Sequence, residues 1–310
     1  MRTPPTLTTL PANDTTIAVW DWAGPGQTLL FTHANGFHGR CWDQVIAHFP
    51  ENRCLAVDLR GHGHSAKPAP PANWRAFGED VAAVARAFDL HDAIGIGHSI
   101  GGHATALAAA LAPDAFARLV LIDPVAFAPE RYTGARTGEH FVAQRRNNWP
   151  SPDAMIARFA DRPPFSRWAP GVLRDYCEYG LLPDPDGDGY ILACPPTFEA
   201  GVYQVSSAVA SNIYPEIARL HQHTLVVRAI AAQRTSGPDF SVSPTDPAFA
   251  SHFPTATNSS TPTTPTSSPW NPPLQTATYI RTTYSPTHHP NSPKSCPSTQ
   301  QFRTFPPTWH

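Results

Sequence analysis

A chain of 310 residues exceeds the roughly 100–200 residues usual for one domain. Its net charge of −2 offers no basic surface for nucleic acid or an anionic membrane. Charged residues are only 15% and prolines number 36, but these averages conceal a split. All 24 Asp and Glu and all 19 Gly precede Ser251, whereas residues 251–310 hold 14 Thr, 12 Pro and 9 Ser. Such a composition cannot fill a core, so one folded unit is expected, followed by a disordered Thr/Pro/Ser-rich tail over 255–310.

The five cysteines (Cys41, Cys54, Cys177, Cys194, Cys296) form no CxxC pair. Their odd number suggests reduced thiols in a cytoplasmic protein. Residues 1–13 lack the apolar stretch of a secretory signal. No apolar run approaches the ~20 residues that span a bilayer, so a soluble protein is expected.

In chain order, residues 16–22, 28–32 and 53–58 read as strands, the second apolar enough to be buried on both faces. Residues 74–88 have helical periodicity, with Phe77, Val81, Val84, Ala85 and Phe88 on one stripe. A strand at 93–97, an Ala-rich helix at 101–111 and a strand at 119–123 continue the alternation. That rhythm predicts an α/β fold with a doubly wound, mostly parallel sheet. From Pro124 strand signals fade and aromatic residues become frequent, with helical pieces at 138–146 and 152–160, until the buried-strand pattern resumes at 224–228. The predicted organisation is a first core part at 14–124, a helical lid insertion at 125–222, a second core part at 223–254 and the tail at 255–310.

The chemistry-bearing motif is Gly97-His98-Ser99-Ile100-Gly101, a G-x-S-x-G between a predicted strand and a predicted helix. A very tight strand-to-helix turn forces Ser99 into strained backbone and leaves no room for Cβ atoms two residues before and after it. The turn lifts the hydroxyl above the sheet, and the helix N-terminus directs N–H groups at developing negative charge. A second temptation, Asp184-Pro185-Asp186-Gly187-Asp188-Gly189, begins like a calcium loop. Its twelfth position is Pro195 instead of a bidentate Glu, and Asp-Gly between short apolar runs favours a hairpin. No metal or other cofactor is expected.

With that motif the sequence resembles the α/β-hydrolase family. His33-Ala34-Asn35-Gly36-Phe37 stands where the family has its His-Gly oxyanion loop, and Asp58-Leu59-Arg60-Gly61-His62-Gly63-His64-Ser65 resembles its D-x-R-G-x-G-x-S turn. The resemblance implies Ser99 as nucleophile and the Ile100 N–H as one oxyanion donor. The other donor is the N–H of Asn35 or of Phe37, and spacing from His33 favours Asn35. His33, His62, His64 and His98 are expected to be structural hydrogen-bonding residues.

The resemblance also implies an acid and then a histidine after the serine. Asp239, in the loop after the 224–228 strand, and Asp123, ending the 119–123 strand, are the two candidates, with Asp239 ranked first. Asp246 looks like a helix N-cap. The histidine should follow the acid by some 20–30 residues, yet no His occurs between His252 and His288. Read from each codon's third base, residues 261–272 can spell a Ser-His-Phe-x-Pro-Met-Glu string similar to the family's histidine loop. A frameshift that removed the last strand, the histidine and the final helix is therefore an expectation, beside a natural Thr/Pro/Ser tail.

Phe127, Tyr132, Phe141, Trp149, Phe159, Phe165, Trp168, Tyr176, Tyr179, Phe198 and Tyr203 would mostly form lid core, some facing the cleft. Arg145, Arg146, Arg158 and Arg162 read as solvated helix faces. The expected partner is a small apolar acyl substrate, with neither nucleic acid nor membrane. The expected function is hydrolysis of a carboxylic ester or related acyl bond, the alternative being an inactive hydrolase-fold protein. Thioesterase, C–C bond hydrolase and perhydrolase chemistry share the same triad. Serine at the elbow disfavours the carboxylate-nucleophile dehalogenases and epoxide hydrolases.

Overall fold

A computed structural model describes residues 2–229, 243–260 and 272–283. The chain runs through β1 (Thr6–Ala12), β2 (Thr15–Trp22), β3 (Gly26–Thr32), α1 (Asp43–Ile46), β4 (Asn52–Asp58), α2 (Arg75–Ala87), β5 (Ala93–His98), α3 (Ile100–Leu111) and β6 (Phe116–Ile122). A long crossover follows, containing β7 (Asn148–Trp149), α4 (Pro152–Phe159), α5 (Pro170–Tyr179), β8 (Leu181–Pro183), β9 (Tyr190–Leu192), α6 (Pro196–Gln204) and α7 (Tyr214–Ile217). The chain then returns through β10 (His223–Arg228), β11 (Ala256–Ser260) and α8 (Pro273–Thr282).

The main sheet has the order β1-β2-β4-β3-β5-β6-β10-β11. β1–β2 and β2–β4 are antiparallel, and every later pair is parallel. The period of two along buried strands sorts side chains to opposite faces. Leu30, Leu55, Val57, Leu119 and Leu121 join α2 and α3 in one core. Leu29, Phe31, Ala56, Ile94, Ile96 and Val120 join α1, α8 and part of the crossover in the other. Thus the doubly wound, mostly parallel sheet expected from the alternation is present.

Three elements depart from the sequence reading. No strand was expected before residue 16. Its side chains are mostly exposed, and it is held by its ladder to β2 through a tight turn at Asn13, where φ is 51°. β11 and α8 fall inside the segment expected to add nothing to the core. β11 pairs in parallel with β10, with Thr224 opposite Ala256. α8 starts with Pro at its first position and buries Thr276, Ala277 and Ile280. Arg281 ties it to the His48 carbonyl at 2.7 Å. A ten-residue helix needs only one short apolar stripe, which averaging over the whole tail hides.

Between β6 and β10, Asp184 and Gly189 close the predicted hairpin: β8 and β9 pair antiparallel, and Asp184 N–H donates to Gly189 O at 3.0 Å. β7 completes this small second sheet, so the crossover mixes strands with helices. The predicted helix at 138–146 is only the 3₁₀ turn Phe141–Gln144. Trp149, Trp168, Tyr176 and Phe198 are buried, whereas Phe141 is 58% exposed. Among the described residues no helix is long and apolar enough to cross a membrane.

Candidate active site

The turn from β5 into α3 carries Ser99 at φ 59° and ψ −123°, outside the favoured regions for an L-residue. Surrounding contacts over-determine it. A Cβ on Gly97 would stand 2.5 Å from the Gly101 carbonyl oxygen, and one on Gly101 would stand 2.5 Å from the Thr32 carbonyl oxygen. Any residue but glycine would push β3, β5 and α3 apart. The Thr32 hydroxyl donates to Gly101 O at 2.9 Å and meets the Thr105 hydroxyl at 2.7 Å, locking β3 to the helix. The Ser99 N–H donates to Ile122 O at 3.1 Å, and Val125 N–H donates to Ser99 O at 3.1 Å. Ser99 itself is half-buried.

The loop after β3 lies beside this turn, and its backbone donors are mostly committed. Phe37 N–H donates to Ala34 O at 3.1 Å, and Gly36 N–H donates to His62 Nε2 at 3.0 Å. The Phe37 alternative is thus occupied by a turn, and the Phe37 ring instead packs on Trp168 and Tyr176 at 5.6 and 5.1 Å. Asn35 N–H makes no hydrogen bond within the described loop. The Ile100 N–H opens α3, where the first four N–H groups lack intrahelical acceptors.

The loop histidines hold backbone. Leu59 N–H donates to His33 Nε2 at 3.0 Å, so the proton sits on Nδ1, 2.8 Å from Ala34 O. Burial, then the neighbouring His62, keeps the His33 pKa well below the ordinary value. Burial likewise lowers His62 and His98 to about 3. His64 packs edge-on against Trp20 at 5.3 Å.

The Asp58–Ser65 turn is a scaffold. Asp58 accepts Gly39 N–H at 2.6 Å, His64 N–H at 2.8 Å and Trp20 Nε1–H at 3.2 Å. Arg60 forks onto Asp80 in α2 at 2.6 and 2.7 Å.

Of the two acids, Asp239 lies outside the described residues. Asp123 is buried at the end of β6 with φ 44°. Its N–H donates to Val227 O at 2.7 Å. Its carboxylate accepts the Ser243 hydroxyl and, at 3.4 Å, the Thr245 hydroxyl. Asp246 accepts Ala248 N–H at 3.1 Å and the Tyr214 hydroxyl at 3.1 Å, but the N-cap of the Phe249–His252 turn is Ala248, not Asp246 as expected. His252 packs edge-on against Tyr214 at 4.5 Å.

One reading of a basic residue is overturned. Arg145 is not a solvated helix face: it pairs with the buried Glu199 and donates to the Tyr176 hydroxyl at 3.1 Å. Burial raises the Glu199 pKa while Arg145 lowers it. Burial opposes the Arg145 charge, but Tyr176 and Glu199 hold its pKa above the ordinary value. No sequence spacing signals this pair, because the crossover separates its members. Among the described residues no group of three His, Cys, Asp or Glu could hold a metal ion. The four described cysteines are free and buried.

A sheet of this order with a strained serine between its fifth strand and the next helix defines an α/β hydrolase, and the chain belongs to the alpha/beta hydrolase family, whose model matches residues 29–294. An esterase of Mycobacterium tuberculosis is 33% identical over 151 residues, 45% of this chain and 48% of that protein. A non-heme chloroperoxidase of Streptomyces lividans is 37% identical over 125 residues, 39% of this chain and 44% of that protein. The matches span less than half the length of these curated relatives. The crystal structure of E-2-(acetamidomethylene)succinate hydrolase superposes with a TM-score of 0.66 at 21% identity, covering 90% of this chain and 98% of that one. It shares the fold.

Proposed function

We propose that the chain carries a serine hydrolase site acting on a carboxylic ester or related acyl bond. The observation that carries this reading is the Ser99 backbone at φ 59° between Gly97 and Gly101 at the start of α3, and the Asn35 and Ile100 N–H groups are the oxyanion donors this reading assigns. Ser99 Oγ attacks the acyl carbonyl and loses its proton to a base. The two N–H groups hold the resulting oxyanion, and the leaving alcohol departs with a proton. Water then releases the acid from the acyl-serine. Asp239 and Asp123 are the two candidate carboxylates for orienting a histidine, and of these Asp123 is buried at the end of the strand next to that of Ser99. The crossover acts as a lid whose aromatic lining favours a small apolar acyl group.

The base is the member that the sequence does not supply in the expected place: no His occurs between His252 and His288. This favours, as the second reading, a chain whose histidine loop was lost by a frameshift and whose activity is correspondingly low. Nucleotide sequence across codons 250 to 275 tests the frameshift, and a single frame without the alternative histidine string would sink it. Turnover of p-nitrophenyl butyrate, measured beside Ser99→Ala, tests the hydrolase reading. Ser99-dependent turnover supports it, and equal rates of the two proteins would refute it.

A further inference from the structure

We infer that Glu199 is a positioning residue for the oxyanion loop, holding Asn35 and Gly36 from the lid side so that the Asn35 N–H stays aimed at the substrate carbonyl oxygen. The inference rests on the hydrolase reading above and adds a residue of the lid to its machinery.

Three contacts from α6 converge on the loop. Asn35 Nδ2 donates to the Glu199 backbone carbonyl at 3.0 Å, which fixes the Asn35 carboxamide and persists in Glu199→Ala, so that variant tests the carboxylate contact alone. The Glu199 carboxylate lies under Gly36, where a Cβ would stand 2.5 Å from Oε1 and where φ is +77°. Phe198 packs edge-on against His62 at 5.7 Å, and His62 is the acceptor of the Gly36 N–H. Two adjacent residues of one helix thus reach the loop through a backbone carbonyl, a carboxylate against a glycine and a ring.

The clamp is anchored from behind. Arg145 donates to both the Glu199 carboxylate and, at 3.1 Å, the Tyr176 hydroxyl of α5. The cavity between Gly36, Phe37, Arg145 and Tyr176 is only about 10 Å³, room for about one water. The loop therefore has little space to relax toward the lid while Glu199 is in place. A carboxylate that served only to neutralise a buried arginine would not need to lie against a left-handed glycine of the oxyanion loop.

The test uses Glu199→Ala and Arg145→Lys in the full chain, with Ser99→Ala as control. Two readouts are taken: steady-state kinetics on p-nitrophenyl butyrate, and hydrogen exchange of peptides covering residues 33–38 and 93–104. In Glu199→Ala, exchange over 33–38 is expected to rise at least tenfold with 93–104 unchanged. The Ser99-dependent kcat should fall at least tenfold with KM within about threefold. Arg145→Lys, which keeps a cation beside Glu199, should change both readouts in the same direction but less than Glu199→Ala. Unchanged loop exchange in Glu199→Ala, or an equal rise over 93–104, would overturn the inference. If the parent chain shows no Ser99-dependent turnover, the hydrolase reading fails, and exchange alone still decides whether Glu199 holds the loop.

Discussion

Ser99 and Asp123 end neighbouring parallel strands and both hold left-handed backbone, at φ 59° and 44°. They follow the register pair His98 and Ile122, and the Ser99 N–H donates to the Ile122 carbonyl. Two strained residues side by side each cost about 1–3 kcal/mol. Such strain persists because the strand ends over-determine it, and it clusters where chemistry is done.

The steric origin of the elbow gives the first prediction. Gly101→Ala places a Cβ 2.5 Å from the Thr32 carbonyl oxygen and 2.6 Å from that of His33. Backbone cannot yield as a flexible side chain can. Thermal unfolding should shift down by several degrees, and Ser99-dependent turnover should fall more than tenfold. An unchanged Tm would show that β3 and α3 can separate freely.

Asp123→Asn and Asp239→Asn separate the candidate acids. If Asp123 orients the base, its substitution should lower turnover at least a hundredfold, with Asp239→Asn within threefold of the parent. Kinetics on p-nitrophenyl butyrate reads the difference, and the reverse pattern assigns the acid to Asp239. A parallel thermal melt controls for the bonds from Ser243 and Thr245.

Buried histidines set the acid limit of stability. Burial lowers His62 and His98 to about 3 and His38 and His103 to about 4, from an unfolded value of 6.5. Between those values the unfolded chain binds more protons, so stability is lost as pH falls below 6.5. Asp175 works the other way: burial raises it from 3.8 to about 7, so it loses stability as pH rises across that window. Four histidines outweigh one aspartate, and Tm should drop from pH 6.5 to pH 4. Asp175→Asn, which keeps an acceptor for Gln44, should raise Tm at pH 8 more than at pH 4.

Asp58 offers a stability test away from the nucleophile. It accepts three N–H donors, and Asp58→Ala would leave them without that partner. Unsatisfied buried donors cost about 1–3 kcal/mol each, so the chemical-denaturation midpoint should fall clearly. An unchanged midpoint would mean that water replaces the carboxylate.

The parts of the site legible in the sequence are those fixed by local sterics. Gly97 and Gly101 must lack a Cβ whatever surrounds them. The buried strands were legible from their apolar runs. The clamp was not, because Arg145 and Glu199 lie 54 residues apart and meet only once the crossover folds. β1 was missed because its ladder to β2, not its side chains, holds it. α8 was missed because Ala277 and Ile280 are too few to alter the composition of the segment around them.

The most direct measurement is reaction of the full chain with a fluorophosphonate, followed by mass-spectrometric location of the adduct. If the strained Ser99 is the nucleophile, the phosphonyl group should be found on the peptide containing Ser99, at a slow rate if its histidine is missing, and Ser99→Ala should carry none. An adduct on another residue, or no adduct on Ser99 after prolonged reaction, would contradict the account.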